Sequence, residues 1–173
     1  MKRKGYIQVY TGTGKGKTTA ALGLALRAAG AGHRVFIAHF VKRTQTSEHK
    51  ALGRFSDLVT FRQYGTGFLR GKGKTDKAAE AAQQGFGEAR DIIASGLYDV
   101  VILDEINVAV HYGLISAEDV LEVLDAKPPG VEVILTGRNA DQRIIARADL
   151  VTEMREIKHY YHEGVKARRG IEH

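Results

Sequence analysis

The chain has 173 residues, 43% of them apolar and 27% charged, the balance of a soluble globular protein rather than a disordered one. It has no cysteine, which excludes disulfides, thiolate nucleophiles and sulfur-ligated zinc or iron–sulfur sites. Lys and Arg outnumber Asp and Glu by 26 to 20, a net charge of +6 that draws anions without choosing among them.

The length predicts one domain over 1–173. The basic start MKRKGYIQVYTG has no apolar stretch of signal-peptide length, and no run approaches the ~18 apolar residues of a membrane span. The expected location is the cytoplasm, with no membrane partner. In chain order, 7–10 reads as a short strand that runs into a glycine-rich turn. The Ala/Leu-rich segment 18–29 reads as a helix stopped by Gly30 and Gly32. Strands follow over 34–40 and, more weakly, over 58–64. The glycine-rich, basic stretch 65–74 is a loop. A long helix spans 75–94, its middle weakened by Gly85 and Gly87.

The compact apolar run 98–103 (YDVVIL) has the character of a strand buried on both faces. A helix over 116–124 opens on Ser116 with Asp119 three residues on, a capping pair. Pro128, Pro129 and Gly130 break the chain before a second buried strand over 131–136 (VEVILT). Asn139 begins a short helix, 150–154 forms a last strand, and a basic tail closes the chain. Up to six strands alternating with helices predict an α/β fold with a mainly parallel sheet between helical layers.

Residues 11–18 read TGTGKGKT between the first strand and the first helix. The phosphate-loop pattern G-x-x-x-x-G-K-[ST] is matched except at its start. Either Thr11 occupies the first glycine's place, or Gly12 is that glycine and the loop is one residue short. Gly12, Gly14 and Gly16 allow backbone N–H groups to turn toward phosphate oxygens, with Thr13 and Thr19 flanking the cradle. The helix N-terminus adds free donors, Lys17 and Lys15 supply positive charge, and Thr18 offers a hydroxyl to Mg²⁺. The strand over 98–103 runs into adjacent carboxylates, Asp104 and Glu105, where a phosphate-loop protein holds that metal. A nucleoside triphosphate with Mg²⁺ is the expected ligand, in a nucleotide-binding fold of the P-loop, RecA-like kind.

The ordered set of motifs over residues 5–172 resembles the ATP:corrinoid adenosyltransferases. GYIQVYTGTGKGKTTAALGLALRAAG resembles that family's opening, and His39-Phe40-Val41-Lys42 its Gln-Phe-Ile-Lys segment with His in place of Gln. Gly67-Phe68 matches a Gly-Phe of its central loop, and LDEIN (103–107) its Leu-Asp-Glu-Leu-Asn. LTGR (135–138), ADLVTEM (148–154) and KHYYHEGVKARRGIE (158–172) match its later signatures. Two segments depart: in the central loop Arg70 stands where the family has Trp, and in the tail Tyr160-Tyr161 stand where it has Pro-Phe.

The resemblance implies that reduced cobalt(I) of a corrinoid attacks the 5′ carbon of ATP and that triphosphate leaves as a unit. ATP would lie reversed in the loop relative to other phosphate-loop enzymes. Cobalt(I) carries no proton, so no general base is required. Catalysis then rests on charge stabilisation and alignment, assigned to Lys17 and Lys15, with Phe68 as a wedge against the corrinoid face. Thr18, Asp104 and Glu105 would hold Mg²⁺ or Mn²⁺. Lys42 lies past a strand end, where open α/β sheets bind ligands. Arg138 follows a buried strand, to touch phosphate or to pair with a carboxylate. The resemblance further implies a homodimer and allows a flavoprotein as electron donor.

Two other functions compete on the same residues. Arg62, Arg70, Lys72 and Lys74 with Tyr64 and Phe68 would suit a nucleic-acid-binding ATPase, and the same loop would serve a small-molecule kinase with Glu105 as base. No second ATPase motif accompanies the strip, so no specific nucleic acid is expected.

Overall fold

The computed structural model describes residues 4–41, 47–67 and 76–172. Six strands form one sheet in the order β3-β2-β4-β5-β1-β6, and all five pairings are parallel. The strands are β1 (Ile7–Thr11), β2 (Val35–His39), β3 (Val59–Gln63), β4 (Val100–Asp104), β5 (Glu132–Thr136) and β6 (Leu150–Glu153). The helices are α1 (Lys17–Gly30), α2 (Ser47–Leu52), α3 (Asp76–Ser95), α4 (Ile106–His111), α5 (Ala117–Ala126) and α6 (Gln142–Arg147). Among the described residues, no helix is long and apolar enough to cross a membrane.

The period-2 alternation of the central strands divides the core into two. Val35, Ile37, Val100, Ile102 and Ile134 face α1 and α2. Phe36, Ala38, Val101, Leu103, Val133 and Leu135 face α3, α4, α5 and Ile144 of α6. Both faces of β2, β4 and β5 are therefore covered, and these strands read as unbroken apolar runs. The buried face of α1 is Ala21, Ala25 and Ala28, small side chains at helical spacing that let the helix lie close on the sheet. β6 is an edge strand and exposed along its length.

Six predicted strands and three predicted helices are present to within a residue or two of the expected ends. The Ser116 cap forms as its sequence predicts, its side chain accepting from the Asp119 N–H at 3.0 Å. The helix expected at Asn139 starts later. Asn139 takes a left-handed conformation, φ 56°, and Asp141 caps α6 by accepting from the Arg143 N–H at 2.9 Å. Helices α2 and α4, each six residues, were not legible in the pattern because they are too short to show a period. Gly85 is not merely a weak point of α3: a Cβ there would lie 2.2 Å from the ring of Tyr64. That ring packs 5.9 Å from Phe40, so Tyr64 belongs to the interior and not to a strip of base-stacking aromatics.

Candidate active site

The C-terminal ends of β2, β3 and β4, the loop after β1 and the N-terminus of α1 surround a cavity of about 590 Å³, where parallel α/β sheets place their ligands. Thr11 remains in β1, paired with Glu153, and the turn begins at Gly12 with φ 97°. Gly12 is thus the first residue after the strand and has the backbone freedom that the turn requires. A Cβ at Gly12 would lie 2.4 Å from the Met154 carbonyl, so the loop seats directly on the chain leaving β6. The Gly14 N–H donates to the same carbonyl at 2.7 Å.

Helix α1 has Gly16 before it as its N-cap, with no side-chain cap and no acidic residue in its first turn. Its first residue is Lys17, a cation at the positive end of the helix dipole, which is unfavourable unless an anion joins it. The Lys17 side chain is buried, 9% exposed, and its ammonium donates to the carbonyls of Gly12 at 2.8 Å and Gly14 at 2.7 Å. It is thus not the surface charge that its position in a loop suggests; it staples the loop around the place a phosphate would fill.

The second half of the site is built on β4 and β5. Asp104 is 1% exposed. Its Oδ2 lies 2.5 Å from His39 Nδ1 at the end of β2, and its Oδ1 accepts from the Thr136 hydroxyl at 2.6 Å. The Thr18 side chain also hydrogen-bonds to it. Burial would raise the Asp104 carboxyl, but the His39 contact, then Thr136 and Thr18, outweigh it and hold the group below the usual carboxylate range. Thr136 is a two-sided link, since its hydroxyl also accepts the Glu105 N–H at 3.0 Å. Glu105 sits at φ 63°, a left-handed conformation uncommon for a non-glycine residue. Such strain is typical of functional turns.

The structure brings Gly14, Lys15, Gly16, Lys17, Thr18, Thr19, Asp104, Glu105 and Arg138 to the one cavity. Gly12 and Thr13 stand behind it, and the Thr13 carbonyl accepts from Arg138 Nη2 at 2.9 Å. Arg138 therefore braces the loop rather than pairing with a carboxylate. Lys42 and Phe68 lie outside the described residues, as do Arg70, Lys72 and Lys74. Lys15 is turned toward the C-terminal segment, with its ammonium 2.9 Å from Glu172 Oε1.

Sequence reasoning missed several residues of the site: His39 and, behind the cavity wall, Thr136 as partners of Asp104, the apolar wall of Leu22, Ile37 and Phe61, and His159, Ile171 and Glu172 from the tail. Thr136 carried a signal, a hydroxyl ending a buried strand. Glu172 carried none, because its contact with Lys15 spans 157 positions.

Among the described residues, no three His, Asp or Glu side chains form a metal cluster. The donor set instead fits a hard cation shared with a phosphate chain. Thr18 and Asp104 are hydrogen-bonded to each other, with Glu105 on the same cavity, and oxygen ligands of this kind suit Mg²⁺.

Residues 3–173 match the family described as ATP:corrinoid adenosyltransferase BtuR/CobO/CobP. The chain is 36% identical to the corrinoid adenosyltransferase of Escherichia coli (strain K12), over 98% of this chain and 86% of that one. It is 37% identical to the corrinoid adenosyltransferase CobA of Salmonella typhimurium, over 100% and 88%. Identity to the corrinoid adenosyltransferase of Pseudomonas aeruginosa is 34%, over 98% and 84%. The flagellar accessory protein FlaH from Methanocaldococcus jannaschii shares the fold, with a TM-score of 0.62 at 12% identity over 87% of this chain and 71% of that one.

Proposed function

The chain belongs to the ATP:corrinoid adenosyltransferase family, and from that premise we propose how its own residues carry the reaction. The enzyme transfers the 5′-deoxyadenosyl group of ATP to the reduced cobalt of a corrinoid and releases triphosphate. In our reading the whole chain is one catalytic domain, and the cavity between the loop after β1 and the ends of β2, β3 and β4 takes the ATP.

The observation that carries the assignment is the convergence of Lys17, Thr18 and Asp104 on that cavity. The phosphate chain lies in the cradle of Gly12, Gly14 and Gly16, against the uncapped N-terminus of α1. Lys17, already at the cradle's centre, meets the charge that builds as triphosphate departs. Lys15 meets it from the mouth of the cavity. Thr13, braced by Arg138, keeps the loop's outer wall in place, and Thr19 extends the polar start of α1. Mg²⁺ would be held by Thr18 and Asp104, with Glu105 at hand; when bound it neutralises phosphate charge and fixes the chain's geometry. Lys42 and Phe68 belong to the proposal on the sequence resemblance alone, Phe68 as the apolar wedge at the corrinoid face. A homodimer and a flavoprotein electron donor rest on the same resemblance.

The cobalt nucleophile brings its own electron pair and no proton, so the site needs no base. Incubation with ATP, Mg²⁺ and chemically reduced cobalamin tests the reading. The expected products are a light-sensitive adenosylated corrinoid and triphosphate in equal amounts. Release of ADP or phosphate with no adenosylated corrinoid would overturn it in favour of a kinase or an ATPase.

A further inference from the structure

The last residues of the chain fold back over the phosphate loop. A 3-10 turn over Tyr160–Glu163 and the segment after it bring Ile171 and Glu172 to the cavity beside Lys15. A lysine ammonium has three N–H donors. Those of Lys15 have three acceptors there: Glu172 Oε1 at 2.9 Å, the Ile171 carbonyl at 3.1 Å and the Tyr160 hydroxyl at 3.3 Å. Glu172 is anchored in turn. Its Oε2 accepts from the Arg168 N–H at 2.7 Å, its Oε1 from Arg168 Nη2 at 3.2 Å, and the Tyr160 hydroxyl donates to Oε1 as well. The Arg168 guanidinium lies 4.9 Å above the Tyr160 ring.

With its donors engaged by the tail, Lys15 reaches a phosphate oxygen only by letting a tail acceptor go. The reaction also sets a problem of its own. A cradle that stabilises departing triphosphate holds the product too, and the product carries more free charge than ATP. We propose that Glu172 competes with the phosphate chain for Lys15. It holds the lysine in the empty site, yields it to ATP, and takes it back as triphosphate leaves, which speeds product release. Tyr160 stands where the family pattern carries Pro, which has no hydroxyl to offer, so the hydroxyl that reinforces this clamp is a departure from that pattern. The inference rests on the adenosyltransferase reading and assigns Glu172 a positioning role within it.

Calorimetric binding of inorganic tripolyphosphate with Mg²⁺ to the full chain tests it without any corrinoid. Glu172→Gln should bind tripolyphosphate about three- to fivefold more tightly, the scale of an exposed ion pair. Tyr160→Phe should shift binding the same way by less. Neither change should have any effect in a Lys15→Ala background. Unchanged or weaker binding by Glu172→Gln, or tightening that persists without Lys15, overturns the inference. If the unaltered chain still adenosylates cobalamin in that case, the reading of the site stands without it. Failure of the unaltered chain to bind tripolyphosphate would overturn both the phosphate cradle and the competition built on it.

Discussion

His39 Nδ1 lies 2.5 Å from Asp104 Oδ2, and both side chains are buried at the floor of the cavity. Where the family pattern has Gln, this chain places an imidazole against the carboxylate that faces Thr18. Removing His39 takes away one of the three side chains that hold the buried Asp104 carboxyl, at a cost of about 1–3 kcal/mol. His39→Ala is expected to lose about that much stability in chemical denaturation, and with it Mg²⁺-dependent ATP binding. His39→Gln keeps an N–H donor within reach of Asp104 and should retain most of both. Equal stability of His39→Ala and the unaltered chain would show that the contact does not hold Asp104 in place.

Lys17→Ala should weaken ATP binding by about ten- to hundredfold, the worth of one or two charged hydrogen bonds in the cradle. Because Lys17 also ties the carbonyls of Gly12 and Gly14 together, the variant should lose about 1 kcal/mol of stability as well. Calorimetry and thermal melts measure the two effects separately. ATP affinity close to that of the unaltered chain would remove Lys17 from the phosphate site.

The tail clamp should be insensitive to pH over the working range. Arg168 first, then Tyr160 and Lys15, hold the Glu172 carboxyl well below the usual carboxylate range, and Glu172 with Tyr160 holds the Lys15 ammonium above its own. A carboxyl lowered in the folded state contributes fully above its ordinary value of about 4.3 and loses that contribution as pH falls further. A raised ammonium contributes fully below its ordinary value of about 10.4. The ratio of tripolyphosphate affinities between Glu172→Gln and the unaltered chain should therefore stay flat from about pH 6 to about pH 9. A ratio that falls steeply within that window would mean that some other titrating group controls the tail.

The strands and the cradle were legible because their signals are local. A strand buried on both faces must be a short apolar run, as in β4 and β5, and a phosphate cradle must put Gly, Lys and Thr at one strand–helix turn. Asp104 could be read for the same reason, as the polar residue ending such a strand. What brings His39, Thr136 and Glu172 to the site is tertiary. His39 reaches Asp104 because β2 pairs with β4 in a register that sets the two side by side, and no spacing along the chain encodes that register. Glu172 reaches Lys15 from the far end of the sequence. Asn139 misled because Asn suits both a helix cap and a left-handed turn, and here it takes the turn while Asp141 makes the cap.

Gly85 and Gly87 look alike in the sequence, two glycines in the middle of α3, but the structure separates them. A Cβ at Gly87 would meet nothing within 4 Å, so Gly87→Ala should gain about 0.5–1 kcal/mol from helix propensity. A Cβ at Gly85 would strike the Tyr64 ring at its base, 2.2 Å from Cγ. The ring cannot retreat easily, because Phe40 packs against it. Overpacking of about 1–3 kcal/mol should outweigh the propensity gain, so Gly85→Ala should lower the denaturation midpoint while Gly87→Ala raises it. The effect should also reach the site. The Tyr64 N–H donates to the His39 carbonyl at 2.9 Å, so displacing Tyr64 disturbs the end of β2 that presents His39 to Asp104. Gly85→Ala is therefore expected to weaken Mg²⁺-dependent ATP binding, with Gly87→Ala leaving it unchanged. Midpoints that move the same way for both variants would show that Tyr64 yields to the added methyl, and the link from α3 through Tyr64 to the Asp104 side of the cavity would fail with it.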